Sequence, residues 1–262
     1  MIYYEKHICG KNKDWIIFIH GLGGSLKTWK YQMDEFLEYN TLFVDLQGHG
    51  NSEMAACRKI GKASSEDILD IMDKEHIKSV HIVSLSLGTA VALDFVKRHH
   101  EKVKSVVLAG MILNLNWWRK SLIGLAAFCN QVMPVKMSYS FFARIIMPKK
   151  THEKSRKIFV REACKISQKA FGVWLNLMYQ CQRKGREYIE ILNENRIPTM
   201  IASGKEDYLF LPGVEKFASA LKEKREILFE KCGHVCSIDK KEQFNREVSK
   251  FILSVTEPDK AV

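Results

Sequence analysis

Apolar residues recur along this chain in two rhythms. Trp15-Ile16-Ile17-Phe18-Ile19, Thr41-Leu42-Phe43-Val44-Asp45 and residues 103–109 are short, nearly continuous apolar runs rich in β-branched and aromatic side chains, the pattern of strands covered on both faces. Between them apolar positions fall at helical spacing and predict helices over about 26–39 and 65–76, the second with a capping-box-like start at Ser64 or Ser65. Residues 2–8 read as an edge strand, returned into 15–19 by the turn Gly10-Lys11-Asn12-Lys13-Asp14. Residues 80–93 pass from β-branched residues through a run of small ones into helix formers, which predicts a strand, a sharp turn and a helix reaching about residue 100. Strand and helix thus alternate, the rhythm of a parallel sheet with helices on both faces.

From about 113 to 195 that rhythm stops. Helices are predicted over 117–132, 138–147, 152–167 and 169–183, with Pro134 and Pro148 at two of the boundaries. Strands resume at 198–204 and 226–230, accompanied by helices over 213–222 and 241–255. The expected organisation is therefore an α/β domain made of residues 1–112 and 196–262, interrupted by an all-helical cap at 113–195. No internal repeat is present, and 257–260 reads as a disordered tail.

Composition adds further constraints. A chain of 262 residues with 46% hydrophobic and 27% charged residues has an ordinary globular make-up. Residues 1–7 carry charges where a secretion signal needs an apolar core, and the longest apolar region, about 106–133, is interrupted by Asn114, Asn116, Arg119 and Lys120. Seven cysteines without metal-ligand spacing suggest reduced thiols in the cytoplasm; Cys232-Gly233-His234-Val235-Cys236 has no second ligand pair, so no metal site is expected. The net charge of +11 is carried entirely by residues 113–192, which hold 15 Lys or Arg against 4 Glu and no Asp.

The candidate chemistry lies directly after predicted strands. Ser84-Leu85-Ser86-Leu87-Gly88 places a serine at the tip of the strand-to-helix turn, where the helix also aims its backbone N–H groups. Two further loops, Ser203-Gly204-Lys205-Glu206-Asp207 and Cys232-Gly233-His234, follow later strands, and His20-Gly21-Leu22-Gly23-Gly24 follows the first central one. A serine hydroxyl needs a base to take its proton, and the base needs an anion to hold its tautomer. These four elements in this order resemble the α/β-hydrolase family: the nucleophile elbow G-x-S-x-G with Ser84 in place of the first glycine and Thr89 where many relatives have another, the G-x-x-D and G-H signatures, and the glycine-rich oxyanion loop. Asp45-Leu46-Gln47-Gly48-His49-Gly50-Asn51-Ser52 resembles the family's D-x-x-G-x-G-x-S loop and is read as structural.

The resemblance implies Ser86 as nucleophile, His234 as base, Asp207 as orienting acid and the backbone N–H groups of Leu22 and Leu87 as oxyanion donors, with His20 bracing its loop. Glu206 is a competing acid and His49 an alternative base. No cofactor is implied. The implied activity is that of a cap-bearing serine hydrolase of the carboxylesterase or lysolipase kind, acting on an ester, lactone or thioester with an apolar acyl part. A small-molecule receptor that kept the fold, and a lyase or carbon–carbon bond hydrolase using the same triad, are the alternatives. The cap aromatics, Trp117, Trp118, Phe128, Tyr139, Phe141, Phe142, Phe171, Trp174 and Tyr179, are expected to pack on the α/β domain or line an acyl pocket. The basic cap suggests contact with an anionic lipid surface, and no nucleic-acid module is present.

Overall fold

The computed structural model describes residues 2–54 and 60–257; residues 258–260 of the expected tail lie outside them. In chain order the elements are β1 (Tyr4–His7), β2 (Trp15–Ile19), α1 (Lys30–Met33), β3 (Asn40–Val44), α2 (Ile60–Lys74), β4 (Val80–Leu85), α3 (Leu87–His99) and β5 (Val103–Ala109). They continue with α4 (Trp117–Val132), α5 (Val135–Ile146), α6 (Glu153–Ala163), α7 (Gln168–Gln180) and α8 (Gly185–Glu194). Closing the chain are β6 (Thr199–Gly204), α9 (Leu211–Ser219), β7 (Lys224–Phe229), α10 (Cys236–Asp239) and α11 (Lys241–Thr256).

The strands form one sheet in the order β1-β3-β2-β4-β5-β6-β7, parallel throughout except for β1, which runs antiparallel to β3. Every residue of β3, β4 and β6 is buried, as helices on both faces require. The two edges carry charge instead: Glu5, Lys6 and His7 are exposed on β1, and Lys224 on β7, which discourages further strand pairing. An aromatic cluster anchors the first half of the core, with Trp29 and Phe36 edge-on to Phe18 at 5.3 and 5.5 Å and Phe43 stacked on it at 4.6 Å. This is the α/β-hydrolase architecture with a helical insertion between β5 and β6.

Several expected elements are redrawn by tertiary contacts. The helix expected over 26–39 is a 3₁₀ turn at Leu26–Trp29 followed by the single α turn of α1. Beyond it the chain closes tight turns, Glu35 N–H and Phe36 N–H both donating to Gln32 O. Ser64 and Ser65 do not cap α2. They are buried inside it, because Ile60 and Ala63 extend its apolar face toward the N-terminus. Ser167 caps α7 by accepting from Ala170 N–H at 3.1 Å, so the helix expected to reach 167 ends at Ala163. The inserted segment also contains α8, which was not expected; it packs on α3, with Lys184 3.3 Å from Asp94 and Lys97 paired with Glu187.

Candidate active site

Ser86 occupies the turn between β4 and α3 with φ 53° and ψ −119°. A non-glycine residue held there stores about 1–3 kcal/mol of backbone strain. The surroundings enforce it. Ser86 N–H donates to Ala109 O at 2.8 Å, and the Thr89 hydroxyl and N–H both return to Ser86 O. Gly88 is obligatory, since a Cβ there would fall 2.5 Å from Ile19 O and 2.6 Å from His20 O. Ser84, where the family pattern has glycine, fits because its hydroxyl donates to Val107 O across the sheet at 2.7 Å. The departure from the motif is thus a satisfied core hydroxyl.

The loops after β6 and β7 bring the other two groups to Ser86. Gly204 and Gly233 cross so closely that a Cβ on Gly204 would lie 2.2 Å from Gly233 O. Asp207 Oδ2 meets His234 Nδ1 at 2.7 Å, and His234 Nε2 meets Ser86 Oγ at 2.8 Å. Asp207 is wholly buried and His234 nearly so. The carboxylate can only accept, so Nδ1 carries a proton and Nε2 is left to accept from the serine. Phe210 lies against the imidazole with ring centroids 4.7 Å apart.

Glu206, one residue away, points elsewhere. It accepts from Lys149 Nζ at 2.8 Å and from His152 Nε2 at 2.9 Å, both contributed by the cap. The Lys149 hydrogen bond, aided by His152, holds its carboxyl below the usual range. It is a cap anchor and does not touch His234.

Two buried histidines brace the glycine-rich loop. Leu46 N–H donates to His20 Nε2 at 3.0 Å, so the ring's other nitrogen carries the proton and donates to Gly21 O at 2.8 Å. Gly24 N–H also reaches Gly21 O, and these two donors fix the peptide whose N–H belongs to Leu22. Gly23 N–H donates to His49 Nε2 at 3.0 Å, leaving His49 Nδ1–H for Gln47 O at 3.2 Å. Burial pushes both imidazoles down, His49 well below its ordinary value, consistent with rings that accept N–H donors. His49 therefore does not face Ser86 as a base. Asp45 ties the neighbouring loop, accepting from Leu26 N–H at 2.7 Å and Asn51 N–H at 2.8 Å. Leu87 opens α3, and N–H groups of a first turn have no intrahelical acceptor.

Two cap residues complete the arrangement, Tyr139 from among the cap aromatics and Glu162, which sequence reasoning did not single out. Tyr139 donates to Leu22 O at 2.7 Å, and burial raises its phenol well above the ordinary value, keeping it a donor. Ser25 donates to Glu162 at 2.9 Å. The only sequence hint was Glu162 itself, one of four acids in a strongly cationic segment. Over Ser86 and His234 the cap closes a cavity of about 20 Å³ lined by Leu22, Tyr139, Phe142, Ile146, Phe159 and Met178, space for roughly one water molecule. Among the described residues no cluster of three or more His, Cys, Asp or Glu is placed to hold a metal ion.

Residues 14–128 match the family model described as the alpha/beta hydrolase fold. Among curated proteins, the chain is 29% identical over 104 residues to the dihydrolipoyllysine-residue acetyltransferase component of the acetoin cleaving system of Cupriavidus necator, covering 39% of this chain and 28% of that protein. It is 34% identical over 83 residues to 2-succinyl-6-hydroxy-2,4-cyclohexadiene-1-carboxylate synthase of Escherichia coli, covering 30% of this chain and 31% of that protein. The chain thus spans less than a third of either relative's length. An esterase from Exiguobacterium antarcticum superposes with a TM-score of 0.83 at 19% identity, covering 96% of this chain and 95% of that one.

Proposed function

For this chain, an α/β-hydrolase-fold protein by its sheet, its family match and its structural neighbours, we propose serine hydrolase activity on a carboxylic ester with a small apolar acyl part. The observation that carries the reading is the unbroken hydrogen-bonded line from buried Asp207 through His234 to Ser86. Ser86 Oγ attacks the acyl carbon while His234 Nε2 takes its proton, and Asp207 stabilises the resulting imidazolium. The tetrahedral oxyanion is held by the N–H groups of Leu22 and Leu87, each such donor being worth about 10²–10³ in rate. Collapse expels the alcohol with the proton from His234. Water activated by the same imidazole then releases the acid from the acyl-enzyme. Apart from the ester and water, these steps use groups of the chain alone.

Substrate class follows from the cavity lining. It is apolar apart from Ser86, His234 and the Tyr139 hydroxyl, and it contains no Lys or Arg. The synthase relatives are named for a carboxylate product, which such a cavity has no cation to meet. The cationic cap favours substrates presented at an anionic surface. The six described cysteines are free thiols, which supports a reducing compartment such as the cytoplasm.

The test is hydrolysis of p-nitrophenyl acyl esters from short to long chain by wild type and Ser86→Ala. Turnover by wild type alone, with Ser86→Ala slower by about 10⁶-fold and short chains preferred, is the expected outcome. If neither protein hydrolyses any ester, or if both do so equally, the reading fails, and the receptor and lyase alternatives take its place.

A further inference from the structure

α4 is apolar on two opposite sides. Ile123, Ala126 and Cys129 are buried against the cap interior, whereas Trp117, Leu125, Phe128 and Val132 are 81, 43, 60 and 62% exposed. At about 100° per residue the four exposed side chains fall within roughly 80° of arc, opposite the three buried ones. Ser121 shares that arc, but its hydroxyl is turned back onto Trp117 O and Trp118 O. α5, packed beside α4, adds Met137 and Phe141 at 59 and 47% exposure. An apolar helix face of this extent is not a feature that water accounts for.

Charge selects the occupant. From Lys102 to His152 the chain contains no Asp or Glu. Arg119 and Lys120 lie in the first turn of α4, Lys136 and Arg144 are exposed on α5, and none of these four has an acidic partner among the described residues. A second copy of the chain would bring the same cations against them, while an anionic bilayer would neutralise them. Tryptophan at the end of an apolar helix face beside Arg and Lys matches the make-up of helices that lie in a membrane interface. No helix among the described residues is long and apolar enough to cross a membrane, so the contact is peripheral.

We infer that the exposed face of α4, with Met137 and Phe141 of α5, is a docking surface for an anionic phospholipid bilayer. The inference is independent of the catalytic assignment. It does bear on it, because the opposite side of α5 supplies Tyr139, Phe142 and Ile146 to the cavity over Ser86. Docking would set a single helix between the lipid surface and the serine.

The experiment is sedimentation of the full chain with vesicles of phosphatidylcholine alone and of phosphatidylcholine containing about one third phosphatidylglycerol. Wild type should pellet with the anionic vesicles and shift the Trp117 emission to the blue. Arg119→Gln/Lys120→Gln should weaken partitioning by about 10- to 30-fold. Trp117→Ser/Phe128→Ser should weaken it by about 10-fold or more. Unchanged thermal midpoints identify both variants as folded, as expected for surface positions. Failure to pellet, equal binding to both vesicle types, or undiminished binding of the Trp117→Ser/Phe128→Ser variant would overturn the inference. So would a concentration-dependent dimer dispersed by Phe128→Ser, which would make a second copy the occupant.

Discussion

Replacing Asp207 by Asn changes one oxygen into an amide nitrogen at a wholly buried position, and its effect can be worked from two distances. The carboxylate lies 2.7 Å from His234 Nδ1, and Nε2 lies 2.8 Å from Ser86 Oγ. An asparagine can present its NH₂ to Nδ1, which then accepts, so the imidazole proton moves to Nε2 and points at the serine that must be deprotonated. The imidazolium that forms during attack also loses its neighbouring anion. Together these are expected to lower kcat by about 10⁴-fold, or ~5 kcal/mol in barrier. KM should change little, because the side chain does not reach the cavity. Volume is conserved and no buried cation is orphaned, so the thermal midpoint should stay close to wild type. Glu206→Gln is the matched control: its carboxylate is held by Lys149 and His152 of the cap, and turnover should fall by less than about 10-fold. The assay is steady-state hydrolysis of a short-chain p-nitrophenyl ester, with fluorophosphonate labelling rates as a second measure of serine reactivity. A larger loss in Glu206→Gln than in Asp207→Asn would refute the assignment, as would near-normal kcat in Asp207→Asn.

Three further perturbations probe separate parts of the fold. Tyr139→Phe leaves buried Leu22 O without its cap donor and should cost about 1–3 kcal/mol of stability; kcat should fall by about 10-fold with KM nearly constant, and an unchanged kcat would show that the tyrosine does not position the oxyanion loop. Gly88→Ala drives a methyl group into Ile19 O and His20 O and should destabilise by about 3 kcal/mol in denaturant unfolding, whereas an unshifted midpoint would contradict the packing described at the elbow. His81 is buried between Ser105 and Asp14, and burial pulls its imidazole from 6.5 to about 4. Between those values the unfolded chain binds the extra proton, so this histidine's contribution is present above about pH 6.5 and is lost as pH falls. The loss amounts to about 2 kcal/mol between pH 7 and pH 5. His81→Gln should flatten the pH dependence of unfolding in that window by this amount, and an unaltered slope would refute it.

How far the sequence could be read depended on whether a feature is set locally. β2 and β5 were placed to the residue because each is a run buried on both faces, and α4 because its apolar positions keep helical spacing up to the boundary at Pro134. Ser86, Asp207 and His234 each follow a strand, so their order along the chain already suggested convergence. Between Asp207 and Glu206 only the resemblance to the G-x-x-D signature chose, since the residue types themselves do not separate them. Adjacent carboxylates look alike until the crossing of Gly204 and Gly233 aims one at His234, and cap residues more than fifty positions away claim the other. The same distance in sequence hid Glu162, and it hid the Leu22 partner of Tyr139, which the sequence placed only among the cap aromatics. The cap aromatics were expected to pack inward or line a pocket, and they divide instead. Phe142, Phe171 and Trp174 are buried, while Trp117, Phe128 and Phe141 face solvent. Hydrophobicity alone cannot tell the two sides of a helix apart when both are apolar.

Four of the hydrogen bonds and ion pairs that tie the cap to the loops around Ser86 give the cap more than a covering role. Tyr139 holds Leu22 O, Glu162 holds Ser25, Trp174 donates to Gln47 O at 2.8 Å, and His152 holds Glu206. Three of these act on the glycine-rich loop or on the loop that braces it, and the fourth acts on the residue beside Asp207. With space for roughly one water over the serine, an ester with more than a small acyl group requires the cap to shift. A shift that breaks the Tyr139 and Glu162 contacts also releases the loop carrying the Leu22 N–H. On the proposed mechanism, admission of substrate and assembly of the oxyanion site are linked through α5 and α6. Because α5 is also exposed through Met137 and Phe141, whatever binds that outer face acts on a helix whose inner face lines the cavity over Ser86.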